Sequence, residues 1–398
     1  MPRAGALFVP IEALCAGRLF KMRRFETTIR TMTKGGDGMT MNAFSTHRRL
    51  RIGRVVAQFT LAAALAVAAG PLMAQDEGAR PAPPAAQEGE RAAPRNRPEV
   101  TVDALSVVKV RAKAVADART SRSLGASREG TGVVIDSEGL VLTIGYLILE
   151  AESVELSTAD GRKFPARVIG YDNTTGFGLL RALSPLPIKP VQFGSSSKIG
   201  QRELVLIVGF DGVAPAYVVS RRPFVGYWEY RLDEAIYTAP ATVNWSGAAL
   251  LSRGGRLLGI GSLVVGDAAG AQSRVAGNMF VPIDLLKPML GALIADGKAP
   301  GPPRPWIGVN TQELHGNVIV TRVSPESPAD LASMRKGDVI VSVGGQAIKG
   351  QSDFYSQLWA TGEAGVEIAL HVLRSGRVEK LSVKSADRSS YLRVRTSY

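Results

Sequence analysis

From Val100 to Pro282 the chain repeats one pattern, short runs of β-branched and aliphatic residues cut by glycine or a turn pair. GTGVVID, LVLTIG, ADGRKFPARVIG, LVLIVGF and RGGRLLGIGSLVVG are examples. Each run has the length of a strand and is bounded by residues that favour turns. Helical patterns do not alternate with them, so the spacing predicts an all-β barrel or sandwich rather than βαβ units. The pattern closes with NMFVPIDLLKPMLGALIADG, residues 278–297, whose second half is periodic like a helix, with Asp284 near its start and Gly297 after its end.

A proline-glycine linker, KAPGPPRP at 298–305, separates this region from a unit with a different grammar. There VIVTRV and DVIVSVGG read as strands, SPADLASM and FYSQLWATG as helices, and VEIALHVLRSGRVEKLSV as a hairpin around Ser375-Gly376. A small β-rich domain with two helices is predicted over 306–385, followed by a tail, 386–398. No repeat with a solenoid period is visible.

The N-terminal part reads as a targeting segment. HRRLRIGR (47–54) is a charged stretch, VVAQFTLAAALAVAAG (55–70) a short apolar core, and PLMA ends at Ala74 on a small residue. The apolar run is interrupted by Gln58 and is short against the ~20 residues of a membrane span, so a cleaved signal peptide is preferred to an anchor. Met41 is an alternative start to Met1. Residues 1–74 carry 11 Lys and Arg against 3 Asp and Glu, whereas the remainder carries 37 against 32. The net charge of +13 is therefore concentrated in a segment that export would remove, and no basic-aromatic patch elsewhere argues for nucleic acid. The single cysteine, Cys15, lies in the same segment. A mature chain without thiols fits a bacterial periplasm or envelope protein. Residues 75–99, rich in Pro, Ala and charge, read as a disordered tether. The chain has no phosphate-cradling glycine motif and no metal-ligand spacing, so no cofactor and no metal is expected.

ATVNWSGAALLS, residues 241–252, holds the one candidate for covalent chemistry. Ser246 between a tryptophan and a glycine is either a nucleophile or a small residue in a tight turn. A serine hydroxyl attacks only when a neighbouring base accepts its proton. The chain has three histidines, His47, His315 and His371, and none lies between Arg48 and Leu314. A lysine could serve as base instead, and the barrel region offers Lys109, Lys113, Lys163, Lys189, Lys198 and Lys287, none beside an apolar strand end near Ser246.

The order of these signals resembles the HtrA/DegP family of periplasmic serine proteases. GTGVVIDSEGLVLT, VIGYDNTTGFGLLRA, SKIGQRELVLIVGF, ATVNWSGAALLSRGGRLLGI and NMFVPIDLL carry the likeness in sequence order, followed by the C-terminal unit. The resemblance implies a signal peptide, a trypsin-like double β-barrel over 100–297 and a PDZ domain over 306–385. It also implies a catalytic triad, and here two members are replaced. Tyr146 stands at the histidine position in LTIGYLI, Gly176 at the aspartate position in TTGFGLL, and Ser246 at the nucleophile. A phenol is a poor base near neutral pH, since its ordinary pKa of about 10 leaves about one part in a thousand ionised. Losing one helper of a triad costs around 10⁴ in rate. The family's GNSGGPL reads Asn244, Trp245, Ser246, Gly247, Ala248, Ala249 and Leu250, which replaces two glycines of the oxyanion loop. Asp172 and Asn173 fit a turn.

The same resemblance implies a peptide site in the C-terminal unit. Trp306, Ile307, Gly308 and Val309 match the loop whose backbone amides hold a peptide's terminal carboxylate, and Phe354, Gln357 and Leu358 would line the groove. Ser333 stands where a glycine is usual, and Asp338 reads as structural. The family trimerises through aromatic residues near the mature N terminus, whereas residues 75–145 contain no Phe, Trp or Tyr. The expectation is thus an exported, proteolytically inactive HtrA-like protein binding peptides or unfolded C-termini, as adaptor or chaperone-like module in envelope protein quality control. The alternatives are an active serine endopeptidase with a non-standard base or partner activation, and a structural envelope protein.

Overall fold

The computed structural model describes residues 105–393, which belong to one compact unit. The signal-peptide and tether assignments lie outside the described residues. Six strands form the first closed barrel: β1 (Val107–Ala114), β2 (Ser127–Val134), β3 (Leu140–Ile144), β4 (Ala151–Ser157), β5 (Lys163–Tyr171) and β6 (Phe177–Ala182), ordered β1-β2-β3-β6-β5-β4. Six more close a second: β7 (Leu204–Gly209), β8 (Gly212–Gly226), β9 (Tyr230–Ala239), β10 (Ala249–Ser252), β11 (Leu257–Val265) and β12 (Gly277–Pro282), ordered β10-β11-β12-β9-β8-β7. This is the double barrel the sequence led one to expect.

Closure removes sheet edges, and the inward side chains supply the cores. Val108, Val110, Val133, Leu142, Leu156 and Leu179 are wholly buried in the first barrel, and Val205, Val218, Ile236, Leu250 and Phe280 in the second. Every residue of β3 (LVLTI) is buried, its one polar side chain, Thr143, donating to the Thr131 carbonyl at 2.7 Å. A four-residue helix, α1 (Ser121–Leu124), interrupts the path from β1 to β2. Helix α2 (Leu290–Asp296) follows the second barrel and ends on Gly297 in the left-handed conformation, φ 71°. It starts later than the sequence suggested. Asp284 sits in a short 3₁₀ turn (Ile283–Leu285), because Pro288 disfavours helix in the residue before it.

The C-terminal domain is a sheet ordered β13-β14-β15-β17-β18, with β16 paired to β15. Its strands are β13 (Val309–Leu314), β14 (Asn317–Val323), β15 (Val339–Val343), β16 (Gln346–Ala347), β17 (Glu367–Arg374) and β18 (Arg377–Lys384). The last two pair from Glu367–Lys384 to Arg374–Arg377, turning at Ser375-Gly376 with φ of 50° and 80°. Helices α3 (Pro328–Leu331) and α4 (Gln351–Ala360) cover this sheet, and α5 (Arg388–Tyr391) follows it. Ser327 caps α3 through its side chain, with Pro328 entering the first turn. No helix among the described residues is long and apolar enough to cross a membrane.

Candidate active site and carboxyl-binding loop

Ser246 stands in the turn before β10, and close backbone packing holds it there. A Cβ on Gly247 would come within 2.0 Å of the Thr131 carbonyl oxygen, and one on Gly261 within 1.9 Å of the Trp245 carbonyl oxygen. The Gly247 amide donates to Gly261 (2.9 Å) and the Thr131 amide to the Ser246 carbonyl (2.8 Å). Glycine at 247, at φ 73°, is thus required twice over, by backbone angle and by space.

The side chain that reaches the serine is Tyr146, carried by the short turn after β3. Its hydroxyl lies 2.9 Å from Ser246 Oγ and 3.0 Å from the Ser262 carbonyl oxygen. A phenol has one proton, and a carbonyl can only accept. If the phenol donates to Ser246, it presents a proton to the oxygen where a base would have to accept one. When it donates to Ser262, the serine's proton faces a neutral phenol oxygen, which has no useful basicity. Neither arrangement makes a nucleophile. Trp245 packs beside the phenol, ring centroids 6.4 Å apart and 55° between planes.

Gly176, read from the resemblance as standing where an aspartate would be, brings no carboxylate. Gly176 adopts φ 83°, and a Cβ there would meet the Tyr230 hydroxyl oxygen at 3.4 Å. Tyr230 donates to the Thr175 carbonyl (2.6 Å) and is buried, and burial pushes its hydroxyl well above the ordinary phenol range. Asp172, four residues earlier, accepts from the Thr174 and Thr175 amides at 3.2 and 2.7 Å, the turn role the sequence suggested. The amide of Asn244, two residues before the serine and one of the pair an oxyanion hole uses, is turned toward Thr242 Oγ1 at 3.4 Å. The lysines are engaged elsewhere or exposed. Lys109 pairs with Glu129, Lys163 with Glu155, and Lys287 with Asp284 and the Gly194 carbonyl. His371 shares a hydrogen bond of 2.8 Å with Ser342 inside the C-terminal sheet, and His315 sits in the turn after β13. Among the described residues no group of three or more His, Cys, Asp or Glu could hold a metal.

The C-terminal loop 306–309 is built to hold a carboxyl group. Gly308 has φ 91°, and a Cβ there would lie 2.2 Å from Ser327 Cβ, so only glycine fits. The loop's three successive amides converge on one carboxyl, that of Glu229 at the tip between β8 and β9. Gly308 and Val309 donate to its Oε1 at 2.7 and 2.8 Å, and Ile307 to its Oε2 at 3.1 Å. Glu229 is 6% exposed. Burial pushes its carboxyl up to about 7, against the opposite pull of those amides.

Of the residues expected to line a groove, Ile307, Gly308 and Val309 form this loop. Trp306 packs against Tyr391 at 4.6 Å between centroids, and its backbone pairs with Ala386. Phe354 and Leu358 are wholly buried in the domain's own core, and Gln357 bonds the Ala347 carbonyl and Asp353. The α4 side chains that reach the tip are Gln351 and Tyr355, one turn apart. Both bond the Gly226 carbonyl, at 3.2 and 3.0 Å. Sequence reasoning missed Glu229. The signal was GYWEYR, an acid among aromatics where a long hairpin must turn, but nothing local tells that it meets Gly308.

Residues 130–260 match the family described as trypsin-like peptidase domain, and residues 305–385 the PDZ domain family. Among curated proteins the chain is similar to a probable periplasmic serine protease do/HhoA-like of Haemophilus influenzae, 27% identical over 67% of this chain and 60% of that one. It is also similar to the periplasmic pH-dependent serine endoprotease DegQ of Escherichia coli, 27% identical over 64% of this chain and 58% of that one. The chain thus spans about 60% of the length of these relatives. Among solved structures, an HtrA-type protease AlgW with tripeptide aligns over 73% of this chain and 95% of its own, at 22% identity and a TM-score of 0.43.

Proposed function

Because this chain belongs to the HtrA-like family, with a trypsin-like domain followed by a PDZ domain, we propose that it is an exported pseudoprotease. Its barrels serve as a scaffold, and its PDZ domain recognises carboxyl-terminated polypeptides, in an adaptor or chaperone-like role in envelope protein quality control. One observation carries the reading: Ser246 Oγ faces the Tyr146 phenol at 2.9 Å where acyl transfer needs an imidazole. Gly176 adds no orienting carboxylate, and Asn244 turns an oxyanion-type donor onto its own chain. The periplasmic names of the Haemophilus and Escherichia relatives support export, as does the leader read at 47–74. For the PDZ domain, the support is the three-amide loop already holding a carboxyl group.

A second reading, an active serine endopeptidase with a non-standard base or one activated by a partner, has Ser246 itself and the relatives' protease names in its favour. Digestion of an unfolded substrate separates the two. Denatured casein incubated with the full chain should stay intact at the rate of a Ser246→Ala control. Cleavage that the control abolishes would establish the second reading.

A further inference from the structure

A PDZ groove recognises a peptide through three features: amides that hold the terminal carboxylate, a strand that pairs with the peptide backbone, and helix side chains along the other wall. The β8–β9 tip, Gly226–Tyr230, meets all three. The Glu229 carboxyl takes the amides of Ile307, Gly308 and Val309. The Thr311 amide of β13 donates to the Tyr227 carbonyl at 2.8 Å, as it would to a paired strand. From α4, Tyr355 and Gln351 donate to the Gly226 carbonyl, and Tyr355 also accepts from the Glu229 amide at 3.1 Å. Val225 packs against the PDZ core, and Arg231 bonds the Ser356 hydroxyl.

We propose that the β8–β9 tip is the resident ligand of the PDZ groove, with Glu229 standing in for a terminal carboxylate, and that a polypeptide with a free C terminus binds only by displacing it. The inference rests on the reading of this domain as a peptide binder. Glu229 is the residue that sets the threshold. An external ligand competes with a carboxyl tethered in place, so its apparent affinity is the intrinsic affinity multiplied by the fraction of molecules whose groove is open. The displaced segment is also the one that carries Tyr230, whose hydroxyl bonds Thr175 and lies over Gly176. Occupancy of the groove therefore bears on the barrel site as well.

The test compares the full chain as wild type, Glu229→Ala and Glu229→Gln. The probe is a pool of decapeptides with randomised last three positions, offered as free acids and as C-terminal amides. Glu229→Ala should bind the free-acid pool at least tenfold more tightly than wild type, with no gain for the amides. Glu229→Gln, which keeps the volume and one acceptor oxygen, should gain less and guards against misfolding of the alanine variant. In the wild type, bound free-acid peptide should speed amide hydrogen exchange over residues 226–231. Equal free-acid binding by all three proteins, without faster exchange at the tip, would overturn the resident-ligand inference and leave the peptide reading standing. Binding by none of them would overturn both.

Discussion

At the scale of single residues, the site is decided by which proton acceptor reaches Ser246. The Tyr146 hydroxyl contacts the Ser246 hydroxyl at 2.9 Å, and under the proposed function this hydrogen bond stands where a catalytic base would be needed. Restoring one helper is not expected to restore the enzyme. Tyr146→His supplies an imidazole with no carboxylate to fix its tautomer, and the missing orienting group alone is worth around 10⁴ in rate. Casein digestion by this variant should stay indistinguishable from that of Ser246→Ala, and cleavage above that control would show that the remaining site is intact. The absence of a histidine between Arg48 and Leu314 was legible in the sequence. The phenol's double engagement with Ser246 and the Ser262 carbonyl was not, since it joins residues 100 and 116 positions apart.

At the scale of elements, the tip between β8 and β9 is one place where barrel and PDZ domain meet. Burial raises the Glu229 carboxyl from 4.5 to about 7, while the amides of Val309, Ile307 and Gly308 and the charge of Arg388 pull it down. Tyr355, beside it, is raised to about 12, also by burial, and so stays neutral throughout this range. A carboxyl raised on docking makes the docked form bind the proton more tightly than the free hairpin does. Docking is then fully favoured below about 4.5 and loses that advantage as the pH rises through 7. Hydrogen-exchange protection of the Ile307–Val309 amides, corrected for intrinsic rate, should fall tenfold or more between pH 5 and pH 8. Glu229→Gln should flatten the change, and an equally steep change in that variant would contradict the assignment. The strands and the hairpin at Ser375-Gly376 could be read from alternation and turn chemistry. The face of α4 could not. Phe354, Tyr355 and Leu358 are all wholly buried in the domain core, and periodicity alone does not say that Phe354 and Leu358 are used up there while the Tyr355 hydroxyl still reaches the tip.

Over the whole molecule, the ties between the barrels and the C-terminal sheet were not visible in the sequence. Glu150, 4% exposed and at φ 55°, shows why. Its carboxylate accepts from the amides of Arg119 and Thr120, from the Thr120 hydroxyl, and from the amide of Arg393 beyond the PDZ sheet. Arg119 in turn reaches Glu326 and the Pro325 carbonyl. Glu150→Ala strands several part-buried donors and should destabilise the full chain by about 1–3 kcal/mol in urea unfolding, against less than 1 kcal/mol for the exposed Glu152→Ala. Equal, small effects would show that the tail contact carries no load. Under the proposed function, Ser246 has no base among the described residues. Intact-mass measurement after exposure to a fluorophosphonate probe decides this: unmodified protein is expected, and a single adduct mapped to Ser246 and lost in Ser246→Ala would overturn it.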